Sequence, residues 1–269
     1  MRAWPRAMRE VALVILVYTA YWGVRNLLGD DAALAMRNAH RLLDLQKALG
    51  IDWEHGVQSA LGDRLIMKTL NIVYTSTHFA VTIGVLLWLF VRRSRFTYSH
   101  WRTGLLATTC IALVGYASFP LMPPRLVPGI GIVDGLDKWG ALWDYHSGPI
   151  GKLSNQYAAM PSVHVGWALW CTMALWSVAS GRWRPLVRVL AVGYTLLVAL
   201  AVVATGNHWV LDIVGGVVVT LAGVGFATAR ERSRRRRHAV LYGEPTFVES
   251  APVTEPTADD ASPSVTGTP

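Results

Sequence analysis

The chain has 269 residues, of which 52% are hydrophobic, and carries a net charge of +8. That length suits one folded unit of several helices, and the only two cysteines, Cys110 and Cys171, lie in apolar runs, so the sequence implies no disulfide framework. The positive charge is concentrated in short arginine-rich connections between apolar segments. This arrangement indicates contacts with membrane lipid headgroups and argues against a nucleic-acid site.

Six stretches are long and apolar enough to cross the hydrocarbon core of a bilayer, which takes about 20 helical residues. In chain order they are residues 9–28, 66–91, 103–119, 160–180, 186–205 and 208–229. The first resembles a signal peptide, but bulky Tyr18 and Tyr21 stand where a cleavage site needs small residues, so we predict a retained anchor. The predicted fold class is all-α, an integral membrane six-helix bundle with short interfacial helices on its outer face.

Arginines define the predicted orientation, because positively charged loops stay in the cytoplasm. They are concentrated in the N-terminal tail, in the connections 92–102 and 182–188, and in the segment 230–237. Both termini are therefore predicted to be cytoplasmic. The loops 29–65 and 120–159 are predicted to lie outside, with the protein in the plasma membrane.

Three parts are predicted along the chain. Residues 1–65 contain the anchor helix and, at 31–62, the short interfacial helices, with acidic residues on a solvated outer face. Residues 66–230 form the transmembrane core. Residues 231–269 form a basic and then disordered cytoplasmic tail, because from residue 239 the chain is rich in Pro, Ser, Thr and acids and poor in apolar residues.

Three stretches at the outer ends of the predicted spans carry unusual polar residues: "FPLMPPRLVPG" (119–129), "AAMPSVHVGW" (158–167) and "ATGNHWVLD" (204–212). His208 and Asp212 are spaced i,i+4, so the carboxylate can accept the proton of one imidazole nitrogen and leave the other nitrogen as a nucleophile or base. His164 adds a second imidazole. Ser162 and Arg125 add a hydroxyl and a cation that suit phosphate oxygens.

Two helix N-termini are expected at the same face, at the starts of the fourth and sixth spans. Unpaired N–H groups make such helix ends suitable for anions, and Pro161 suits the first helical position of the fourth span. These features together predict a phosphoryl-transfer site. No Gly-rich nucleotide loop and no dense cluster of carboxylates, His or Cys occurs in the sequence, so neither a cofactor nor a metal is predicted.

Alternative interpretations exist for these polar residues. His208 and Asp212 also fit a structural hydrogen-bonded pair, and Tyr74 with His78, a second i,i+4 pair, fits structural hydrogen bonding better than substrate contact. A proton-coupled transporter also uses intramembrane His and Asp. A transporter would place them near the bilayer midplane on broken helices, whereas these residues lie at the outer ends of spans, so an enzyme is favoured.

The three stretches resemble the signature motifs of the type 2 phosphatidic acid phosphatase superfamily of membrane phosphatases and phosphotransferases. "PSVH" is similar to its Pro-Ser-Gly-His motif and "HWVLD" to its His-x3-Asp ending, and the resemblance covers about residues 66–229. It implies that His208, oriented by Asp212, attacks phosphorus and forms a phosphohistidine-like intermediate. It also implies that His164 protonates the leaving oxygen and then deprotonates the acceptor, while Arg125 and Ser162 hold the phosphoryl oxygens.

The sequence departs from the superfamily pattern at two cationic positions. Ser118 stands where a lysine is usual and Val202 where an arginine is usual. Val163 replaces the glycine of the Pro-Ser-Gly-His motif. These departures are similar to the inositol phosphorylceramide synthase branch. A phosphodiester carries about one charge and needs fewer cations than a phosphomonoester dianion, unless other cations fold over the site. The candidates for such a role are Arg41, Lys138 and Lys152.

The predicted function is therefore an inositolphosphotransferase-like enzyme that acts on a lipid phosphodiester at the outer leaflet. The alternative is a lipid phosphate or polyprenyl (di)phosphate phosphatase of the same superfamily. The expected partners are a phospholipid or polyprenyl phosphate, an alcohol or water acceptor, and membrane lipids.

Overall fold

The computed structural model describes residues 31–141 and 157–242, the last four by their backbone, and the single positions 8, 10, 12, 13, 15, 19 and 23. In this part of the chain the regular secondary structure is helical, and extended backbone pairs only in one isolated bridge, between Leu121 and Ala158. The all-α class is confirmed. The chain divides into two compact units, residues 1–229 and 230–269.

Nine α-helices follow one another from residue 32 onward in the described ranges. They are α1 (Ala32–Leu49), α2 (Glu54–Ala60), α3 (Arg64–Ile72), α4 (His78–Arg92), α5 (Arg95–Ser118), α6 (Gly135–Trp139), α7 (Val163–Val178), α8 (Arg184–Ala204) and α9 (Val210–Tyr242). A π-helical turn, Val73–Thr77, joins α3 to α4. Side-chain caps begin five helices, since each oxygen accepts from a first-turn N–H: Asp31, Asp63, Ser94, Asp134 and Ser162.

Three continuous helices are long and apolar enough to cross a membrane: Arg64–Arg92, Arg184–Ala204 and Val210–His238. They match the spans predicted at 66–91, 186–205 and 208–229. The span predicted at 160–180 corresponds to the shorter apolar helix α7. The stretch 103–118 lies in α5, which ends one residue before Phe119 and whose polar start "RFTYSHWRTG" lowers its apolar content. Since 9–28 falls mostly outside the described residues, the count of six spans and their orientation stay predictions.

One contact of the N-terminal segment agrees with the predicted orientation. Both carboxylate oxygens of Glu10 accept from Nη1 of Arg102, at 2.7 and 2.6 Å, and Tyr98 Oη donates to the same carboxylate at 3.1 Å. Residue 10 therefore lies beside the first turns of α5. The N-terminal tail and the connection 92–102 are predicted to share the cytoplasmic side, and this contact is compatible with that prediction.

Small residues bring α9 close to the start of α7. A Cβ atom on Gly216 would lie 2.5 Å from the carbonyl oxygen of Ser162, and one on Gly115 would lie 2.6 Å from Cδ of Pro161. Membrane helices commonly use glycine to approach at such distances. The two glycines thus let the second outer stretch, with Pro161 and Ser162, pack between α5 and α9.

The N-terminal helices α1 and α2 are part of the protein core. On α1, Ala35, Ala39 and Leu42 pack in one buried cluster with Leu121 and Trp209 of the first and third outer stretches. The predicted solvated acidic face is confirmed for Asp44, Asp52 and Asp63, which are exposed, but not for Glu54 of α2, which is only 2% exposed. Helix α1, with 18 residues, is longer than the short helices predicted there. Burial of this face packs α1 against the two stretches that carry Leu121 and Trp209.

Helix α9 continues into the basic segment and ends at Tyr242. Arginine favours helical backbone, and Glu231 accepts from Arg235 one turn later, at 2.6 Å. Residues 239–242 are therefore helical, where a disordered tail is predicted. The rest of that predicted tail lies outside the described residues.

Candidate active site

The turn between α8 and α9 brings the first and third outer stretches together. Gly206 has a φ of +74°, and its carbonyl oxygen accepts from the backbone N–H of Arg125 at 2.9 Å. A Cβ atom at this glycine would lie 2.9 Å from Cγ2 of Ile132 and 3.2 Å from Cβ of Arg125. Only glycine suits both this left-handed conformation and the close approach.

His208 and Asp212 form the buried pair that their spacing predicts. Asp212 Oδ2 accepts from Nδ1 of His208 at 3.1 Å and from the N–H of Trp209 at 2.9 Å. Asp212 is fully buried and His208 is 4% exposed. Because a carboxylate only accepts, Nδ1 carries the hydrogen and Nε2 presents a lone pair. This is the orientation that a nucleophilic imidazole needs.

His164 completes a line of three side chains. Its Nδ1 lies 3.3 Å from Nε2 of His208, so the order is Asp212, His208, His164. The residue lies in the first turn of α7, which Ser162 caps. The structure thus places a second imidazole at the nitrogen of His208 that faces away from the carboxylate.

Two aromatic rings of the second span also reach His164. The Tyr74 ring stacks on it with centroids 4.5 Å apart, and the His78 ring lies 4.2 Å away. His78 Nδ1 bonds to the backbone carbonyl oxygen of Tyr74 at 3.1 Å. The structural hydrogen bond predicted between Tyr74 and His78 is therefore made by the main chain of Tyr74. The sequence does not reveal that both rings contact His164. The π-helical turn Val73–Thr77 carries Tyr74 to this position, and such turns occur frequently at functional sites.

Ser162 lies at the N-cap position of α7. Its side chain accepts from the N–H of Val165 at 3.5 Å, and its own N–H donates to the backbone oxygen of Asp212 at 3.0 Å. The expectation that Pro161 occupies the first helical position is wrong, because α7 begins at Val163. Ser162 is fully buried and ties the second stretch to the third. Its contact with phosphate stays a prediction.

Arg125 lies in the 3-10 turn Pro124–Leu126 with a side chain that is 7% exposed. Its Nε is 3.0 Å from Oδ2 of Asp134, the residue whose other oxygen caps α6. Sequence reasoning did not identify Asp134. The pairing offsets part of the positive charge that the guanidinium brings to the site.

Buried carboxamides hold the loop that carries Arg125. Asn38 Nδ2 donates to the carbonyl oxygen of Pro120 at 2.8 Å. Gln58 exchanges two hydrogen bonds with the backbone of Val133, at 2.8 and 2.9 Å, and donates to the carbonyl oxygen of Ala204 at 2.9 Å. These side chains come from α1 and α2, so the N-terminal helices fix the relative positions of the outer stretches.

The N-terminus of α9 is closed by side chains. The N–H of Val210 donates to Oε1 of Glu54 at 2.7 Å, and that of Leu211 donates to Oε1 of Gln46 at 2.9 Å. The expectation that this helix end binds an anion is wrong, because these two N–H groups already have acceptors. Sequence reasoning missed both residues, although Gln46 lies one turn after the apolar Leu42 and Leu43 and so extends their buried face.

The two unusual positions of the superfamily pattern have different surroundings. Ser118 is exposed at the end of α5. Val202 is fully buried in an apolar cluster with Val165 and Val198, so it faces the protein core. Of the three other candidate cations, Arg41 and Lys138 are exposed, and Lys152 lies outside the described residues. Within residues 31–141 and 157–242, no group of three or more His, Cys, Asp or Glu side chains is arranged to hold a metal.

Comparison with known proteins gives one result. A protein-family model described as the PAP2 superfamily matches residues 40–226, more than half of the chain. No match was found among curated proteins or among solved structures. The matched range includes all five predicted catalytic and phosphate-binding residues, Arg125, Ser162, His164, His208 and Asp212. The chain therefore belongs to the PAP2 superfamily, whose members are generally phosphatases or phosphotransferases.

Proposed function

We propose that the protein is a membrane-embedded phosphotransferase that acts on a lipid phosphodiester at the outer leaflet, in the manner of an inositolphosphotransferase. The observation that carries the proposal is the line formed by Asp212, His208 and His164, with nitrogen–oxygen and nitrogen–nitrogen distances of 3.1 and 3.3 Å. A nucleophile needs its orienting acid on one side and a proton donor on the other, and this order supplies both.

The first half of the reaction forms a phosphohistidine. The phosphoryl group of the donor enters between the two imidazoles, and Nε2 of His208 bonds to phosphorus while the bond from phosphorus to the diacylglycerol oxygen breaks. His164, protonated on both ring nitrogens at the start, gives its Nδ1 proton to that leaving oxygen and becomes neutral. Asp212 stabilises the positive charge that develops on the His208 ring.

The second half transfers the group to an alcohol. His164 takes the proton of the acceptor hydroxyl, whose oxygen bonds to phosphorus as the bond to Nε2 of His208 breaks. The phosphorus then carries its original head group and the new acceptor, and His208 returns to its starting state. The proton count balances over the two halves, since His164 loses one proton and regains one.

The charge around Arg125 supports a diester donor. The guanidinium is paired with Asp134 at 3.0 Å, and Ser118 and Val202 stand at two positions where the superfamily usually has cations. A dianionic monoester needs several cations to offset its charge, whereas a diester monoanion needs fewer. A single partly neutralised arginine suits the lower charge.

Purified enzyme distinguishes this proposal from the phosphatase alternative. With a phosphatidylinositol-type donor, diacylglycerol release should require a hydroxylated acceptor or become much faster when it is added. Phosphatidic acid and a polyprenyl diphosphate should be poor substrates. Fast release of phosphate from a monoester without an acceptor would identify a lipid phosphatase instead, and a protein with neither activity that moves protons across vesicles would revive the transporter.

A further inference from the structure

A buried Gln46–Glu54 pair meets the first turn of α9. Glu54 Oε1 accepts from Nε2 of Gln46 at 2.6 Å and from the N–H of Val210 at 2.7 Å, while Gln46 Oε1 accepts from the N–H of Leu211 at 2.9 Å. Both side chains are almost fully buried, at 0% exposure for Gln46 and 2% for Glu54. A buried carboxylate is rare unless it has partners, and here its Oε1 has two N–H donors.

The two N–H groups belong to Val210 and Leu211, two of the three residues between His208 and Asp212. The first N–H groups of a helix have no partners within the helix, so their acceptors decide how the first turn is oriented. Here those acceptors come from α1 and α2, more than 150 residues earlier in the chain. The pair therefore connects the N-terminal helices to the backbone that presents both catalytic side chains.

We propose that Glu54 and Gln46 are positioning residues that hold the first turn of α9, and with it His208 and Asp212, in the geometry needed for phosphoryl transfer. The inference rests on the proposed function for the roles of those two residues. The pair also removes two backbone N–H groups from any contact with substrate phosphate. Arg125 and the start of α7 are left to bind the phosphoryl oxygens.

Three substitutions at residue 54 separate geometry from charge. Glu54→Gln keeps an acceptor at Oε1 and removes the charge, so it should keep most of the wild-type kcat. Glu54→Asp keeps the charge but shortens the side chain, and Glu54→Ala removes the acceptor. Both should lower kcat by about 10- to 100-fold with little change in KM, because small misplacements of reacting groups have effects of this size.

Hydrogen exchange provides a measurement that is independent of the substrate. In Glu54→Asp and Glu54→Ala, amides of a peptide covering residues 208–214 should exchange faster than in the wild type. Thr172→Val is the matched control, since it removes buried hydrogen bonds to Ala191 and Thr195 within the bundle. It should lower Tm yet leave kcat and exchange in that peptide unchanged.

The outcomes are distinct. Wild-type kcat in Glu54→Asp, or slow turnover without faster exchange at 208–214, overturns the positioning role. Loss of activity in Glu54→Gln with wild-type exchange also overturns it, since charge would then matter and not position. If the wild-type enzyme hydrolyses a monoester, the proposed diester transfer fails, but kcat of that hydrolysis tests the positioning role in the same way.

Discussion

Replacement of Asp212 by Asn tests the central pair of the site with the least change in shape. In the wild type, Oδ2 accepts from both His208 Nδ1 and the N–H of Trp209. The Trp209 N–H should keep the amide oxygen of the new side chain on its side, so that the fold survives. What is lost is the negative charge beside an imidazole that becomes positive as it bonds to phosphorus.

The expected loss of kcat in Asp212→Asn follows from these contacts. A hydrogen bond to a charged group contributes about 1.5–3 kcal/mol and a neutral one about 0.5–1.5 kcal/mol, so the ground-state difference at His208 is on the order of 1–2 kcal/mol. In the transition state the ring itself is charged, and the same change in the His–Asp pair of a serine protease, where it also favours the wrong imidazole tautomer, lowers kcat by about 10⁴-fold. We expect Asp212→Asn to lower kcat by about 10²- to 10⁴-fold, or roughly 2.7–5.4 kcal/mol in activation free energy.

The assay measures kcat and Tm of the purified variant beside Asp63→Asn. Asp63 caps α3 through the N–H groups of Leu65 and Ile66, and Asn caps helices about as well, so this control should retain both values. A kcat for Asp212→Asn within a few-fold of the wild type would refute the orienting role. The pair would then be structural only.

Three further predictions concern the site, the packing and the topology. His208→Ala and His164→Ala should each abolish turnover while the protein still inserts into membranes; near-normal activity of either variant would exclude the phosphohistidine route. Gly216→Ala should lower the unfolding free energy by about 1–3 kcal/mol, because its Cβ would lie 2.5 Å from the Ser162 carbonyl oxygen. The change is measured as a fall in Tm. Gly225→Ala on the same helix is the control: its Cβ meets nothing within 4 Å, so its Tm should stay unchanged. Reporter fusions should report the outside after residues 60, 140 and 206 and the cytoplasm after 95, 184 and 240, and a cytoplasmic signal after 140 would contradict the orientation.

Local spacing carries enough information to predict the central pair of the site. His208 and Asp212 are four residues apart, and the i,i+4 geometry that joins them needs no knowledge of the rest of the fold. Likewise, long apolar runs predict the helices Arg184–Ala204 and Val210–His238 to within a few residues at their outer ends. These predictions depend on neighbouring residues only, which is why the sequence supports them.

Contacts between distant segments are not predictable in this way. The acceptors for Val210 and Leu211 come from residues 156 and 165 positions away, and the sequence of α2 gives no sign that Glu54 is buried. The surroundings of Val202 are not predictable from the sequence either, because an apolar residue on a membrane helix suits lipid and protein equally well. Whether it faces one or the other is decided by how α8 packs against its neighbours.

Val202 stands where the superfamily usually has an arginine, and its buried surroundings show how the site accommodates an apolar residue there. Its side chain packs among apolar residues of α7 and α8, and its carbonyl oxygen accepts from the N–H of His208 at 3.0 Å. An arginine at this position would have to bury a charge in an apolar cluster or displace the turn that carries the nucleophile. Ser118 is exposed instead, so Ser118→Lys adds a cation without disturbing the core. If charge limits the choice of donor, this variant should raise phosphate release from phosphatidic acid relative to diester transfer, and an unchanged ratio would show that the charge at position 118 does not select the donor.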